Sequence, residues 1–164
     1  MKSAEAQPLE IKQTLPDEEA TLRLGAQLAA GVEPCLKIYL TGDLGAGKTT
    51  LARGLLRALG VSGRIRSPTF ALVESYNPSS LYLYHFDFYR FQDPREWQDA
   101  GFRDIFAGNA ICIVEWPEKA ETLLPPPDVR ITLEHLGHSR IAYLVGLTER
   151  GKRCLATLNP FEPR

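Results

Sequence analysis

A short glycine-rich segment carries the strongest chemical signal in the sequence. Residues 42–49 read GDLGAGKT and match the pattern G-x-x-x-x-G-K-[ST] at every fixed position. The glycines allow successive backbone N–H groups to point inward around an anion, and the N-terminus of a following helix adds its positive dipole. Lys48 would reach the β- and γ-phosphates of a nucleotide, and the Thr49 hydroxyl would bind Mg²⁺. In the loop without a nucleotide, we expect the Lys48 side chain to face solvent. The predicted nucleotide contacts in this segment are Gly42, Asp43, Leu44, Gly45, Ala46, Gly47, Lys48, Thr49 and Thr50.

The surroundings of this segment favour phosphate binding over an ordinary glycine-rich turn that happens to precede a lysine. The apolar run at residues 36–40 predicts a buried strand before it, and residues 48–59 predict a helix after it. That strand–loop–helix context is the one in which the motif binds phosphate. GTPases with this loop usually read guanine through an Asn-Lys-x-Asp segment, which this sequence lacks. We therefore expect ATP and Mg²⁺ as the ligands.

An acidic residue follows a second apolar run. Residues 110–116, AICIVEW, are typical of a strand buried on both faces. Glu115 comes at the end of this run, where a parallel strand would place a carboxylate beside the phosphate loop as a second Mg²⁺ ligand. The alternative is a surface glutamate that begins a loop. A charged residue directly after a buried run favours a metal ligand over a surface residue.

Two other segments could supply groups for hydrolysis. In HFDFYR, strand alternation places His85, Asp87 and Tyr89 on one face. Asp87 could act as a general base or as a water-mediated metal ligand, or the strand could simply have one polar, solvent-facing side. Thr69, in RIRSPTF, could hydrogen-bond to the γ-phosphate or to Mg²⁺, or the segment could be an ordinary connector. The candidate catalytic residues are Lys48, Thr69 and Asp87.

Helices must support these segments. Asp17 or Thr14 could cap a helix whose apolar positions recur at helical spacing. Those positions are Leu22, Gly25, Ala26 and Ala29. A second capping arrangement at residues 93–96 combines an acceptor, a proline in the first turn and a glutamate three residues on. It predicts a helix over residues 94–106.

The remaining strands are expected in two hairpins. Residues 70–76 and 81–89 form the first pair, and residues 128–136 and 140–147 form the second. The proline-rich stretch at residues 123–128 is expected to be a crossover loop.

Composition sets limits on the function. The chain has 164 residues, 44% of them hydrophobic, and a net charge of −1. Such a charge gives no overall field that would attract nucleic acid or an anionic membrane, so any RNA role would need a local patch or a partner. No run has the length of a signal peptide or of a membrane span. The three cysteines form no CxxC pair, which fits a reduced cytoplasm.

Taken together, these segments resemble the TsaE (YjeE) family of bacterial ATPases. GDLGAGKTT, SPTF, HFDFYR and VEWPEK occur in the order and spacing of that family, and LPDEEATLRLG resembles its opening segment. The resemblance covers roughly residues 14–134. Phe70 stands where tyrosine is also common in the family.

The resemblance implies a fold and a set of site residues. The fold would be α/β, a single P-loop NTPase-type domain over residues 1–164 with a mostly parallel sheet, flanking helices and added antiparallel strands or hairpins. Residues 1–13 and about 150–164 would be peripheral. Thr49 and Glu115 would hold Mg²⁺, Lys48 and the loop amides would hold the phosphates, and Asp87 would serve catalysis. The residues near the nucleotide base would be Asp17, Glu18 and Thr21.

The resemblance also implies a biological role. Members of the family act in the synthesis of threonylcarbamoyladenosine, the modified adenosine next to the anticodon in tRNAs that read codons starting with A. They do not transfer the threonylcarbamoyl group themselves. They bind the TsaB–TsaD heterodimer, and their ATP hydrolysis allows that complex to turn over repeatedly. We accordingly expect a cytoplasmic ATPase that is slow alone, that meets tRNA only through the complex, and that binds neither DNA nor membrane.

Two other functions fit a phosphate-binding loop. A small-molecule kinase would phosphorylate an acceptor, but the sequence has no arginine-rich lid segment after the sheet. A nucleotide-switched adaptor would bind ATP without hydrolysing it, and Asp87 and Glu115 would then be structural.

Overall fold

The computed structural model describes residues 7–158. Within this range seven strands form one sheet in the order β1-β7-β6-β2-β5-β4-β3. The strands are β1 (Leu9–Leu15), β2 (Lys37–Thr41), β3 (Val73–Tyr76), β4 (Leu83–Asp87), β5 (Ile111–Glu115), β6 (Val129–Leu136) and β7 (Ser139–Gly146). The α-helices are α1 (Glu18–Leu28), α2 (Lys48–Ala58), α3 (Arg95–Asp99), α4 (Arg103–Ala107) and α5 (Glu149–Ala156).

The centre of the sheet is parallel and its edges are antiparallel. β2 pairs with β5 and β6 in parallel, and β4 pairs with β5 in parallel. β1 and β7 form an antiparallel edge beside β6, and β3 runs antiparallel to β4 at the other edge. This arrangement confirms the predicted α/β fold, with both expected hairpins and the crossover loop between β5 and β6.

The sequence of β5 explains why the sheet is covered on both faces. All five residues of β5 are buried, and the first four alternate between two separate hydrophobic clusters. Ile111 and Ile113 pack in one cluster with leucines of α1 and α2, whereas Cys112 and Val114 pack in the other with the aromatic residues around α3 and α4. An apolar run without polar alternation therefore marks a strand that has no solvent face.

Glycines bring α1 unusually close to α2. A Cβ atom on Gly25 would lie 2.2 Å from the backbone oxygen of Leu51, and one on Gly54 would lie 2.2 Å from that of Leu22. No side chain fits at these distances, so both positions require glycine. The close contact holds α1 beside the start of α2, where the phosphate loop ends. The buried face of α1 is rotated from the predicted row and consists of Thr21, Leu24, Gly25 and Leu28.

Two segments that were expected to be peripheral contain an edge strand and a helix of the fold. Residues 9–13 lie in β1, which pairs with β7 along its whole length. Residues 150–156 lie in α5, where Cys154 and Leu155 are buried in the main hydrophobic cluster. The motifs that carry the family resemblance cover only residues 14–134. The outermost parts of both segments, 1–6 and 159–164, lie outside the described residues.

Three predicted elements are shorter than expected, one of them the strand predicted over residues 81–89, which is β4 (Leu83–Asp87). The helix predicted over residues 94–106 is split into α3 and α4, because Gly101 between them has a φ of +77° that no helix accommodates. The capping prediction is confirmed only in part: the Glu96 carboxylate accepts the N–H groups of Gln92 and Asp93, but the N-cap is Pro94, which has no side-chain capping bond. The strand predicted over residues 70–76 begins only at Val73.

No helix between residues 7 and 158 is both long and apolar enough to cross a membrane.

Candidate functional site

The loop between β2 and α2 has a backbone that only glycine adopts easily. Gly42, Gly45 and Gly47 have φ angles of 140°, 78° and 106°. A Cβ atom on Gly42 would also lie 2.4 Å from the backbone oxygen of Leu133 in β6. Gly47 is the N-cap of α2 and has no side chain with which to cap the first N–H groups of that helix. These N–H groups, with the helix dipole, suit an anionic ligand.

Lys48 is tied down within this loop. It is only 5% exposed. Its Nζ donates to the carbonyl oxygens of Gly42 and Asp43, the latter at 2.9 Å. It also lies 4.2 Å from the centre of the Trp116 ring, a cation–π contact. Burial lowers the pKa of Lys48 from its usual value of 10.5, and the nearby carboxylates, chiefly that of Glu115, offset part of this effect.

A chain of hydrogen bonds connects α2 to the carboxyl end of β5. The Thr49 hydroxyl donates to Oε1 of Glu115 at 2.8 Å, and Nε2 of His85 lies 2.7 Å from Oε2 of the same carboxylate. His85 is completely buried and Glu115 is 2% exposed. Because an ionised carboxylate only accepts, the His85 ring must donate from Nε2. Both oxygens of Glu115 are thereby fixed in place beside the phosphate loop.

Asp87 lies next to Glu115 but has its own partners. The β4–β5 register pairs these two residues directly. The Oδ1 atom of Asp87 accepts the Tyr89 N–H at 2.9 Å, and Oδ2 accepts the Thr69 hydroxyl at 3.1 Å. Burial raises the pKa of Asp87 from its usual value of 3.8, and Glu115 adds to the rise, while the bonds from Tyr89 and Thr69 oppose it. The structure therefore brings three of the predicted residues, Thr69, Asp87 and Glu115, to one place.

These groups line a cleft of about 450 Å³. The predicted residues that line it come from α1, the loop, α2, the segment before β3 and the ends of β4 and β5. They are Glu18, Thr21, Leu44, Gly45, Gly47, Lys48, Thr49, Thr50, Thr69, Asp87 and Glu115. Gly42, Asp43 and Ala46 belong to the loop but not to the cleft lining. Asp17 is not in the lining either, and its carboxylate caps α1 by accepting the Ala20 N–H at 2.8 Å.

Sequence reasoning missed three residues of the cleft lining, namely Tyr89, Trp116 and Arg140. Tyr89 and Trp116 have ring centres 4.9 Å apart. Trp116 directly follows Glu115 and has a φ of +56°, so the chain turns sharply where β5 ends. Its place after a predicted metal ligand was the signal that could have identified it. For Arg140 the sequence offers no such signal, because its place beside the loop depends on the pairing of β7 with β6 and of β6 with β2.

The site can be compared with known proteins. Residues 15–142 match the family model described as threonylcarbamoyl adenosine biosynthesis protein TsaE. The chain belongs to the TsaE family. The matched range contains every residue of the cleft lining, whereas α5 and most of β1 lie outside it. The resemblance drawn from the sequence motifs is thus confirmed.

Individual relatives agree with this assignment. A TsaE protein of Haemophilus influenzae, named as a tRNA threonylcarbamoyladenosine biosynthesis protein, is 40% identical over 154 residues, covering 91% of this chain and 98% of the relative. A TsaE protein of Bacillus subtilis with the same description is 37% identical over 128 residues, covering 78% of this chain and 80% of the relative. The crystal structure of Bacillus subtilis YdiB superposes with a TM-score of 0.78 at 30% identity, covering 92% of this chain and 95% of YdiB.

The two predicted Mg²⁺ ligands, Thr49 and Glu115, have side chains of the kind that Mg²⁺ binds. The Thr49 hydroxyl and the Glu115 carboxylate supply hard oxygen atoms whose separation is 2.8 Å. Mg²⁺ prefers such oxygen ligands and usually takes only one or two from the protein, with phosphate oxygens and water completing its shell. The residues of this TsaE-family chain therefore fit the predicted metal.

Proposed function

We propose that this chain is the ATP-hydrolysing subunit that supports formation of threonylcarbamoyladenosine next to the anticodon of tRNAs reading codons that start with A. It would act in the cytoplasm through the TsaB–TsaD heterodimer and would not transfer the threonylcarbamoyl group itself. The observation that carries the proposal is the hydrogen bond of 2.8 Å between Thr49 and Glu115. It joins the phosphate-binding helix to the strand end that holds the acidic pair.

The loop and Lys48 would bind the phosphates. The Nζ atom of Lys48 is bonded to the carbonyl oxygens of Gly42 and Asp43. Phosphate oxygens, which carry more charge, would compete with these carbonyl acceptors for the ammonium group. The N–H groups at the start of α2 would contact the same phosphates, since their helix end favours negative charge.

Thr49 and Glu115 would hold Mg²⁺. Bound there, the ion would neutralise charge on the β- and γ-phosphates. His85 contributes by fixing the second oxygen of Glu115, which leaves the first oxygen directed toward Thr49. A carboxylate held in this way needs no reorganisation before it binds.

Asp87 would be the general base. Water would attack the γ-phosphorus, the bond to the ADP oxygen would break, and the proton released by the water would pass to a carboxylate oxygen of Asp87. Burial raises the pKa of Asp87, which makes its carboxylate a stronger base than an exposed aspartate. The Thr69 hydroxyl and the Tyr89 N–H would keep that carboxylate in position.

The partner would complete the site. Residues 62–72, which include Thr69, contain neither helix nor strand, and Phe70 is 83% exposed. Water exclusion and fixed donors both speed phosphoryl transfer. Docking on TsaB–TsaD would order this segment over the cleft and accelerate hydrolysis. The net charge of −1 favours tRNA binding by the partner over tRNA binding by this chain.

The test is the stoichiometry of products from MgATP. Hydrolysis predicts equal amounts of ADP and inorganic phosphate, sensitive to EDTA and lost in Asp87→Asn. A phosphorylated acceptor in place of free phosphate would indicate a kinase. ATP binding without any ADP, alone and with TsaB–TsaD, would indicate a nucleotide-switched adaptor.

A further inference from the structure

One stretch of the chain carries positive charge alone. No acidic residue occurs between Asp43 and Glu74, although the chain contains 20 aspartates and glutamates. The basic residues of this stretch are Lys48, Arg53, Arg57, Arg64 and Arg66. Because the net charge of the whole chain is −1, the rest of the sequence is acidic. An uneven distribution of this kind indicates a local surface that attracts acidic groups.

The four arginines form what we call the arginine patch, on α2 and the segment after it. Arg53 and Arg57 are four residues apart in α2, so they lie on one face of the helix. The Nη1 atom of Arg57 donates to the carbonyl oxygen of Val61 at 3.1 Å, which directs its side chain toward the segment after the helix. Arg64 and Arg66 belong to that segment and are both exposed. The patch therefore continues from α2 onto the segment that follows it.

Tyr76 in β3 lies beside both parts of the patch. Burial raises the pKa of Tyr76, and the charge of Glu74 adds to the rise, whereas the Arg66 backbone and the charge of Arg57 oppose it. Arg57 and Arg66 thus lie near the same hydroxyl group. Among residues 7–158, no carboxylate forms an ion pair with any arginine of the patch, that of Glu74 included. The positive charge of the patch is therefore not neutralised by ion pairs within this range.

The patch leads directly to the residues that hold the proposed base. Thr69 comes three residues after Arg66, and its hydroxyl donates to Asp87 at 3.1 Å. Next to it, Phe70 is 83% exposed, and the guanidinium carbon of Arg90 lies 5.0 Å from the centre of its ring. Arginine and aromatic residues together are typical of protein–protein interfaces. A body that docks here would contact the segment that bonds to Asp87.

The occupant that fits this surface best is an acidic face of another protein. RNA also presents anionic groups, but its phosphates extend along a backbone, and the acidic remainder of this chain would repel them. A protein face of limited area would meet only the patch and Phe70. An exposed aromatic side chain beside four arginines also suits a protein, because protein interfaces combine an apolar centre with a polar rim.

We propose that the arginine patch and Phe70 form the docking surface for an acidic face of the protein partner. The inference rests on the proposed function, in which the TsaB–TsaD pair orders the segment of residues 62–72 over the cleft. Arginine–carboxylate pairs would hold that segment in place, so docking and the stimulation of hydrolysis would depend on the same charges.

The experiment reverses charges of the patch outside the nucleotide site. The variants are Arg64→Glu, Arg66→Glu and the two combined, and the matched control is Arg103→Glu, which alters an exposed arginine of α4. Calorimetry on the full chain measures the Kd for MgATP, and the Kd for the TsaB–TsaD pair from about 50 to about 300 mM NaCl. Phosphate release measures stimulation by the pair, and a separate titration measures tRNA binding to this chain alone. Thermal unfolding checks that all variants are folded.

The proposal predicts a loss that is confined to docking. Each reversal should weaken binding of the pair about tenfold, and the double variant more, with stimulation lost in parallel. The Kd for MgATP should match that of the wild type, and Arg103→Glu should bind the pair normally. Docking of the wild type should weaken as the salt concentration rises, because salt screens exposed charge pairs.

Three results would overturn the proposal. The first is docking that is unchanged in the double variant or equally weakened in Arg103→Glu. The second is a loss of tRNA binding to this chain with docking intact, because the patch would then be an RNA site. The third is a wild type that hydrolyses MgATP but does not bind the pair even at low salt. That result would also remove the partner from the proposed function, and it is distinguishable because it needs no variant.

Discussion

Asp87 and Glu115 are direct neighbours across the β4–β5 pair, yet their carboxylates share no partner. Glu115 is bonded to Thr49 and His85, whereas Asp87 accepts bonds from Thr69 and Tyr89. Adjacent carboxylates oppose each other's ionisation, which is part of why the pKa of Asp87 is raised. Different partners can give two like groups different roles. This division supports Glu115 as the metal ligand and Asp87 as the base.

Replacing Asp87 by asparagine should separate activity from stability. We expect Asp87→Asn to bind MgATP normally and to lose roughly 10²- to 10⁴-fold in hydrolysis, the size of a general-base contribution. Its melting temperature should not fall. The raised pKa means that the folded state holds the proton more tightly than the unfolded chain does, so the ionised group weakens folding at neutral pH. Removing the charge removes that penalty.

Phosphate release and thermal unfolding measure the two effects, with the exposed Asp99→Asn as the control. Full hydrolysis by Asp87→Asn would remove Asp87 from the mechanism.

The pH dependence of hydrolysis should report the same carboxylate. A base acts only when it is deprotonated, so activity should fall as the pH drops through the folded pKa of Asp87. Because that pKa is raised, the acid limb should lie above the ordinary value of 3.8. The measurement is the pH profile of kcat. An acid limb that remains at the same pH in the residual activity of Asp87→Asn would assign it to another group.

His85 should affect metal binding without touching the metal. Its Nε2 lies 2.7 Å from Oε2 of Glu115, and the ring is completely buried. We expect His85→Leu to raise the Mg²⁺ concentration needed for half-maximal ATP binding by about 10- to 100-fold, as the loss of such supporting bonds typically does. His85→Gln, whose amide can donate from a similar position, should recover part of this loss.

The matched control for His85 is Cys112→Ala, which alters a buried neighbour on the opposite face of the sheet. Magnesium titrations that coincide for His85→Leu and Cys112→Ala would show that His85 only fills space.

Lys48 should matter for binding even though the structure corrects one sequence expectation about it. From the sequence we expected its side chain to be solvent-facing, but it is buried against Trp116 and bonded to the loop. We predict that Lys48→Met, which preserves the packing, and Lys48→Ala each lose roughly 10- to 100-fold in ATP affinity, the worth of a charged hydrogen bond. Only Lys48→Ala should also lower the melting temperature. Calorimetry that gave wild-type affinity for Lys48→Met would contradict the phosphate-binding role.

The sequence predicts the parts of the site that local patterns encode. The spacing of Gly42, Gly47 and Lys48 fixes a strand–loop–helix unit, and the unbroken apolar run before Glu115 fixes a buried parallel strand. Where such a strand ends, its last side chain meets the loop, so the position of Glu115 beside the loop could be predicted from the sequence alone. Thr69 and Asp87 were identified as candidates, but their mutual bond was not predicted.

The remaining contacts depend on pairings between distant residues. From the sequence, His85 was identified only as a residue on the same strand face as Asp87. Its hydrogen bond to Glu115 was not predicted, because Glu115 is 30 positions away in sequence. Arg140 meets the loop because β7 pairs with β6 and β6 pairs with β2, an order of strands that no local pattern predicts. The strand β1 was missed. The alternation of Leu9, Ile11 and Leu15 in β1 was a visible strand signal, but an edge strand has few other sequence signals.

Steady-state phosphate release in three mixtures tests the central claim most directly. The mixtures are this chain alone, the chain with the TsaB–TsaD pair, and the chain with the pair and tRNA, each repeated with Asp87→Asn. The account predicts slow release by the chain alone, clear stimulation by the pair, and no stimulation of Asp87→Asn in any mixture. Release that is equally fast in all three mixtures, or that persists in Asp87→Asn, would contradict it.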